Sequence, residues 1–240
     1  SLIPGDGCIY LGGMRGGLYV APFQSARTIP EQEEIPVAIK ETPPAEIPGF
    51  QRIDIGGQVR RVFLDGNTLY AACSTQGIRV FRVEKDGLEL LRTHPVACSY
   101  DVAVLCGLLY SAEGRDGLAV YRIQPDGSLS EMGRERKTCM HLRLVGNPRY
   151  LIASSQGMEF YIKDISDPEK IRTVLSCRPG GLFYTDTTGD RDVNGILPVN
   201  CHGGGVVWID LRGEQPAILH HSKKFLSNQS SAHCVMSGKV

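Results

Sequence analysis

The sequence predicts an all-β fold, and specifically a β-propeller built from four-stranded antiparallel blades. The first observation is a strand pattern in which a glycine precedes alternating apolar and aromatic residues. Its four copies begin at Gly77, Gly117, Gly157 and Gly205, with two steps of 40 residues and one of 48. A period of about 40 residues made of short β-type runs is typical of propellers and related arrays.

The second observation is that each unit contains four short runs of strand-forming residues. In the unit around Gly77 they cover residues 62–64, 69–73, 77–83 and 88–91. Asp-Gly pairs between the third and fourth runs, at Asp86 and again 40 residues later, predict tight hairpin turns. The runs show no helical period, and one such sheet cannot bury both of its faces alone. Radial stacking of sheets buries both faces, which favours the propeller.

The whole chain of 240 residues is expected to form one propeller domain. Residues 24–50 contain five prolines, which prevent ladder pairing, and are predicted to be a surface insertion. The sequence begins on a second strand, residues 8–11, and ends just after a first strand, residues 234–236. If these two segments complete one blade, five blades result; otherwise the chain is part of a seven-bladed ring.

Composition narrows the classes of partner. Lys plus Arg equals Asp plus Glu, at 26 each, so no net field favours nucleic acid or an anionic membrane. No stretch of 18 apolar residues predicts a membrane span. The eight cysteines lack zinc-type spacing. Cys73 and Cys201 share one repeat position and are expected to be small buried apolar residues, whereas Cys98 and Cys139 are candidates for a disulfide.

Ionisable residues recur at the start of the first strand of successive units. In propellers this strand is innermost, so its start lines the mouth of the central channel, and the loop between strands two and three opens on the same face. The predicted site residues on this face are Arg61, Asp101, His141 and His233 at the strand starts, Asp190 and Asp192 in the irregular fifth unit, and Glu113, Arg115 and His202 in the loops.

These predicted site residues have three possible interpretations. Arg61, Arg115 and the carboxylates could bind an anionic or polyhydroxyl ligand, while the imidazoles could transfer protons because histidine titrates near neutrality. Alternatively, the polar residues line a channel that binds only water. The third interpretation is a metal site, since carboxylates and imidazoles are metal ligands. No short ligand spacing supports a metal, so no cofactor is predicted. The metal candidates are Asp101, His141, His233 and either Asp190 or Asp192.

The pattern resembles the LVIVD-repeat family of β-propellers. The resemblance is carried by the Gly-Leu-x-Val-Tyr third strand at Gly117, the Asp-Ile-Ser-Asp-Pro turn at 164–168 and the Trp-Ile-Asp-Leu strand at 208–211, and it covers about residues 55–240. It implies the fold and says little about activity, because the family hosts many functions.

Residues 199–211 also look like segments of propeller polysaccharide lyases and rhamnosidases. This resemblance implies a carbohydrate-directed protein that binds or processes an acidic glycan, with His202 as acid or base and Arg61 or Arg115 neutralising a carboxylate. A lyase or glycoside hydrolase activity is left open. The alternative is a non-catalytic surface or periplasmic binding module for a glycan, another small polar ligand or a protein. The resemblance to these families implies a secreted or periplasmic location.

Overall fold

The computed structural model describes residues 2–5, 8–12, 18–22, 51–55, 57–85, 87–155, 159–179, 192, 194–201 and 205–222. These residues form 19 β-strands in five antiparallel sheets. They contain no helix, and therefore none with the length and apolar character needed to cross a lipid bilayer. The all-β prediction is confirmed.

The chain divides into two compact units, of which the first comprises residues 1–102 and 125–128. It contains two complete four-stranded sheets. The strands of the first sheet are β1 (Leu2–Gly5), β2 (Cys8–Gly12), β3 (Leu18–Pro22) and β4 (Gln51–Ile53). Those of the second are β5 (Arg61–Asp65), β6 (Thr68–Ala72), β7 (Ile78–Glu84) and β8 (Gly87–His94).

The second unit comprises residues 103–124 and 129–240. The third sheet, whose first strand begins in the first unit, contains β9 (Asp101–Leu105), β10 (Leu108–Ala112), β11 (Leu118–Ile123) and β12 (Leu129–Glu135). The fourth contains β13 (His141–Leu144), β14 (Tyr150–Ser154), β15 (Phe160–Asp164) and β16 (Arg172–Cys177). The fifth has three described strands, β17 (Ile196–Asn200), β18 (Val206–Asp210) and β19 (Ala217–Ser222).

The first sheet differs from the sequence interpretation in the origin of its first strand. Residues 8–12 form the second strand as expected, but β1 pairs beside them, with Leu2 opposite Leu11 and Gly5 opposite Cys8. β1 therefore occupies the first-strand position that the sequence interpretation assigned to residues 234–236. Residues 234–236 and the insertion 24–50 lie outside the described residues, and the blade count remains a prediction.

The repeated glycine before the third strand has a conformational cause. Gly77, Gly117 and Gly205 have φ angles of 82°, 92° and 82°, in the left-handed region that disfavours residues with a side chain. A Cβ atom on Gly77 would also collide with the carbonyl oxygen of His94, and one on Gly117 with that of Glu135. The repeat thus marks a tight turn pressed against the fourth strand.

The third and fourth strands share a β-bulge at one repeat position in four sheets. The register shifts at Val80/Phe81, Val120/Tyr121, Ile162/Lys163 and Trp208/Ile209. The second residue of each pair occupies an equivalent buried position. Phenylalanine, tyrosine and isoleucine fill it in three sheets, and lysine fills it in the fourth.

The fourth sheet also corrects the sequence alignment on tyrosine. Tyr70 and Tyr110 pair with Val80 and Val120, whereas Ile152 holds the matching place opposite Ile162. Tyr150 lies two residues earlier along β14. The cause is the connection 145–149 between β13 and β14, which is longer than the two-residue turn between β5 and β6.

Six cysteines of the described residues are in the thiol form: Cys73, Cys98, Cys106, Cys139, Cys177 and Cys201. Cys73 and Cys201 are fully buried, and each thiol lies near the carbonyl oxygen two residues before it, which confirms their prediction as equivalent buried residues. Cys98 and Cys139 are both unoxidised, so the candidate disulfide between them is wrong.

Candidate functional site

The strands β5 and β9 begin with the two predicted residues Arg61 and Asp101, and the structure brings these side chains together. Arg61 Nε lies 3.4 Å from Asp101 Oδ1. The Asp101 side chain is only 2% exposed and the Arg61 side chain 24% exposed. Asp101 Oδ1 also accepts a hydrogen bond of 2.9 Å from the backbone N–H of Val102. In this ion pair a buried carboxylate therefore fixes the position of a partly exposed arginine side chain.

The residues immediately before this pair form a second contact between the same two strand starts. The guanidinium carbon of Arg60 lies 5.2 Å from the centroid of the Tyr100 ring, within the range of a cation–π interaction. Arg60 is exposed and Tyr100 is half-buried. Sequence reasoning missed both residues. The signal was available, because they share the repeat position one residue before Arg61 and Asp101.

We call Arg60, Arg61, Tyr100 and Asp101 the strand-start site. A backbone bridge beside it fixes the two strand starts. Ser74, after β6, and Ser99, before β9, exchange N–H···O hydrogen bonds of 3.0 and 2.9 Å. Because paired backbone groups fix the loop positions, the site is held by the scaffold rather than by flexible loops.

The same bridge recurs in the second unit, next to His141. Gly114 and Cys139 exchange hydrogen bonds of 2.8 and 2.9 Å. His141 is the first residue of β13, is half-buried and pairs with Ser154. The predicted equivalence of Arg61, Asp101 and His141 along the repeat is thus reproduced, since each begins the first strand of its sheet.

Glu113 and Arg115 lie in the loop between β10 and β11, as predicted, but their environments differ. Glu113 is buried, and its carboxylate accepts hydrogen bonds of 2.7 Å from the hydroxyl of Tyr121 and 2.6 Å from Arg134 Nη1. Arg134 also binds Glu131. The carboxylate therefore stabilises the interior of the sheet, where burial and the Glu113 hydrogen bond raise the pKa of Tyr121 above its usual range. Arg115 is exposed.

Asp192 contacts the residues that follow the end of β13, whereas His141 is the first residue of that strand. Asp192 Oδ1 accepts a hydrogen bond of 2.9 Å from the backbone N–H of Asn147, in the connection that follows β13. His141 begins that strand, so the strand separates the two residues. The Asp192 carboxylate therefore caps the turn that follows β13, and a role for it in the predicted site remains a prediction.

The remaining predicted site residues, Asp190, His202 and His233, lie outside the described residues. The backbone N–H of Cys201 donates a hydrogen bond of 2.7 Å to the carbonyl oxygen of Gly205, as the N–H of Cys73 does to Gly77. Among the described residues, no three His, Cys, Asp or Glu side chains cluster as metal ligands.

The chemistry of the strand-start site follows from its donors. The contact with Asp101 engages Nε of Arg61, and the two terminal nitrogens supply further N–H donors in a planar fork that matches a carboxylate. Arg60 adds a second cation, Tyr100 an aromatic face and Asp101 a hydrogen-bond acceptor. Two cations and one anion give the set a formal charge of +1. Such a set suits an anionic ligand that also has hydroxyl groups.

Comparison with known proteins supports the fold. No model of a protein family matches the chain, and no curated protein matches it. Solved structures do match. A protein from Lactobacillus plantarum has a TM-score of 0.63 at 14% identity, over 93% of this chain and 69% of that one.

Two yeast proteins are similar in the same way. Saccharomyces cerevisiae Sqt1 has a TM-score of 0.60 at 15% identity, over 92% of this chain and 60% of Sqt1. Kluyveromyces lactis Hsv2 has a TM-score of 0.55 at 13% identity, over 89% and 62%. The chain thus spans about 60–69% of the length of these structures. They are β-propeller-type proteins, so the chain has the β-propeller fold that the sequence predicts.

Proposed function

We propose that this protein is a binding module that recognises an acidic glycan through the strand-start site. The observation that carries the proposal is the Arg61–Asp101 ion pair, in which a buried carboxylate orients a partly exposed guanidinium. A guanidinium oriented before binding loses less side-chain entropy when it pairs with a sugar carboxylate.

The neighbouring residues fit the rest of a sugar acid. The guanidinium of Arg60 lies 5.2 Å from the centroid of the Tyr100 ring, which places a second cation beside Arg61. Asp101 is buried and acts through Arg61, whose guanidinium it orients. The site's formal charge of +1 matches one carboxylate per sugar and favours a uronate over a phosphate ester, which carries up to two charges.

We assign the protein to binding rather than to catalysis because the strand-start site has no proton carrier that titrates near neutrality. His141 begins the equivalent strand of the fourth sheet, and His202 and His233 lie outside the described residues. The proposal includes the LVIVD-repeat resemblance and a secreted or periplasmic location, where such glycans occur.

The test measures binding of uronate oligosaccharides by isothermal titration calorimetry. Arg61→Ala should weaken binding at least about tenfold, because it removes the oriented cation. Arg60→Ala should weaken it less. The matched control is Arg122→Ala, since Arg122 is an exposed arginine on a third strand and is not one of the four residues of the site. Equal affinity of Arg61→Ala and the wild-type protein would rule out this site.

A second measurement separates binding from processing. The same oligosaccharides are incubated with the protein while ultraviolet absorbance follows the unsaturated product of a lyase. We expect binding without product. Product that persists in Arg61→Ala would locate catalysis elsewhere, and product that is lost in His141→Ala would favour the enzymatic alternative.

A further inference from the structure

Five polar side chains lie together at one end of the fourth sheet. They are Lys137, before β13, Glu159 and Tyr161, at the start of β15, and Ser176 and Arg178, at the end of β16. Because Phe160 pairs with Cys177, the start of β15 and the end of β16 lie side by side. We call these five residues the Lys137 cluster.

The ammonium group of Lys137 has no carboxylate in direct contact among the described residues. It donates a hydrogen bond of 3.1 Å to Ser176 Oγ and lies 3.8 Å from the centroid of the Tyr161 ring. Both contacts are with neutral groups, although Lys137 is half-buried. A cation that is partly removed from water is stabilised by an anion, so this ammonium favours an anionic group from another molecule.

The second ammonium on the same tyrosine ring shows the contrast. Lys163 lies 4.8 Å from the Tyr161 centroid, but it also donates a hydrogen bond of 2.5 Å to the carboxylate of Glu135. The charge of Lys163 is therefore neutralised within the protein. Lys137 has the aromatic contact without the carboxylate.

Arg178 supplies another cation to the cluster. Its Nη2 donates a hydrogen bond of 3.2 Å to Glu159 Oε2, which also accepts one of 3.0 Å from the Tyr161 hydroxyl. The Glu159 side chain is 17% exposed and the Arg178 side chain 76% exposed. Burial alone would raise the pKa of Glu159. The Tyr161 and Arg178 hydrogen bonds and the charges of Arg178 and Lys137 together lower it below its usual range.

The donors of the cluster suit an oxyanion. Ser176 Oγ accepts the Lys137 hydrogen bond, and its own O–H can donate to a ligand. Ser176 and Arg178 are two residues apart, a spacing that places side chains on one side of an extended strand. Lys137, Arg178 and Glu159 together have a formal charge of +1. This charge matches a singly charged oxyanion better than a phosphate monoester, which carries up to two charges.

We propose that the Lys137 cluster is an additional anion-binding site that takes the carboxylate or sulfate ester of an acidic sugar. Lys137, Ser176 and Arg178 donate to the oxyanion, and Glu159 holds Arg178 in position. The assignment of the anion to a sugar rests on the proposed function, whereas the anion site rests on the contacts of the cluster. Like the strand-start site, the cluster combines an arginine–carboxylate pair with a cation on a tyrosine ring.

The experiment is a nuclear magnetic resonance titration of the full chain with Arg61→Ala, which silences the strand-start site. The probes are glucuronate and a glucose sulfate ester at constant ionic strength, with uncharged glucose as the reference. Either acid should shift the backbone amide signals of Lys137 and Ser176, and glucose should shift neither. The acid with the lower dissociation constant identifies the preferred oxyanion.

Three further substitutions in the same protein test the roles of the charges. Lys137→Gln should raise the dissociation constant at least about tenfold, because it removes the cation that lacks a carboxylate. The matched control is Lys170→Gln, which makes the same change of charge in the turn before β16, at the other end of the sheet, where the Lys170 side chain is 82% exposed. It should leave the dissociation constant unchanged. Glu159→Gln should lower it, because the competing anion is lost while a hydrogen-bond acceptor for Arg178 is kept.

Circular dichroism verifies that each variant is folded. The proposal is overturned if Lys137→Gln and Lys170→Gln have the same dissociation constant, if glucose binds as the acids do, or if Glu159→Gln binds more weakly. Failure of the proposed function has a different signature. In that case Arg61→Ala binds uronate oligosaccharides as the wild-type protein does, whatever the result for Lys137→Gln.

Discussion

The ammonium group of Lys163 donates a hydrogen bond of 2.5 Å to Oε2 of Glu135, which joins the third strand of one sheet to the fourth strand of the preceding sheet. Lys163 is fully buried and the Glu135 side chain is 19% exposed. Thr173 Oγ1 lies 2.8 Å from the ammonium and donates to Oε1 of Glu135 at 2.7 Å. The pair therefore places polar contacts at the bulge position that Phe81 and Ile209 fill with apolar side chains in the second and fifth sheets.

This relationship predicts that the two partners differ in their effect on stability. Glu135→Ala leaves the Lys163 ammonium buried with a neutral hydroxyl and should lower the free energy of unfolding by about 3–5 kcal/mol. Lys163→Met fills the position with an apolar side chain, as Phe81 and Ile209 do in other sheets, and leaves Glu135 bound by Thr173 and partly solvated. It should change stability by less than about 1 kcal/mol or increase it. Urea unfolding measures both.

A surface pair provides the control for that comparison. Arg82 Nη1 lies 2.8 Å from Glu89 Oε2, and both side chains are about half exposed. Either partner should be replaceable by alanine at a cost below about 1 kcal/mol. If Glu135→Ala costs no more than Glu89→Ala, the buried pair contributes nothing beyond an ordinary surface contact.

The repeated pattern was sufficient to predict the strands because alternating side chains and turn residues are local properties of the sequence. The glycine at 77, 117 and 205 marks a backbone conformation, and the structure has it in each case. Side-chain partners from distant segments are not local. The position of Asp192 at the 145–149 connection and the role of Glu113 inside its sheet depend on contacts across 45 and 21 residues, respectively.

The two residues that the sequence interpretation missed had a visible signal of another kind. Arg60 and Tyr100 share a repeat position, and Lys163 is the charged member of an otherwise apolar or aromatic position. A comparison of every repeat position would have found them. The correct alignment of the fourth sheet required the structure, because the longer connection 145–149 moves Tyr150 away from its apparent counterparts.

The glycine that precedes β11 should be far more sensitive to substitution than an exposed turn glycine. Gly117→Ala forces a left-handed conformation on alanine and drives its Cβ into the carbonyl of Glu135. Gly66 also has a positive φ, of 55°, but a Cβ there would meet no atom within 4 Å. We expect a loss of about 1 kcal/mol for Gly66→Ala and at least twice that for Gly117→Ala. Equal midpoints in urea would show that the collision is relieved without cost.

Thiol labelling should separate the cysteines by burial. Cys106 is exposed in the turn before β10, whereas Cys73, Cys139 and Cys201 are fully buried. Burial raises the pKa of Cys73 to about 11, so little thiolate forms at neutral pH. A maleimide reagent followed by peptide mass spectrometry should modify Cys106 first and the three buried residues only after denaturation. Rapid labelling of Cys73 in the native protein would contradict its buried position.

The buried tyrosine of β10 should make stability fall in alkaline solution. Burial, and to a smaller extent the charge of Cys106, raise the pKa of Tyr110 from 10.0 to about 12. The folded state therefore keeps the Tyr110 proton more tightly than the unfolded state does. The contribution of the Tyr110 hydroxyl to the free energy of unfolding is fully present below about pH 10. It is lost as the pH rises towards 12, because Tyr110 ionises first in the unfolded chain. Two pKa units correspond to about 2–3 kcal/mol.

The decisive comparison uses Tyr110→Phe, which keeps the ring and removes the ionising hydroxyl. Urea unfolding at a series of pH values from about 9 to 12 gives the free energy of unfolding for both proteins. Other buried tyrosines, including Tyr70 and Tyr121, also have raised pKa values and lower the stability of both proteins together. The difference between the two curves isolates Tyr110. As the pH rises, the free energy of unfolding of the wild-type protein should fall relative to that of Tyr110→Phe. Parallel curves would show that Tyr110 ionises equally well in the folded and unfolded states.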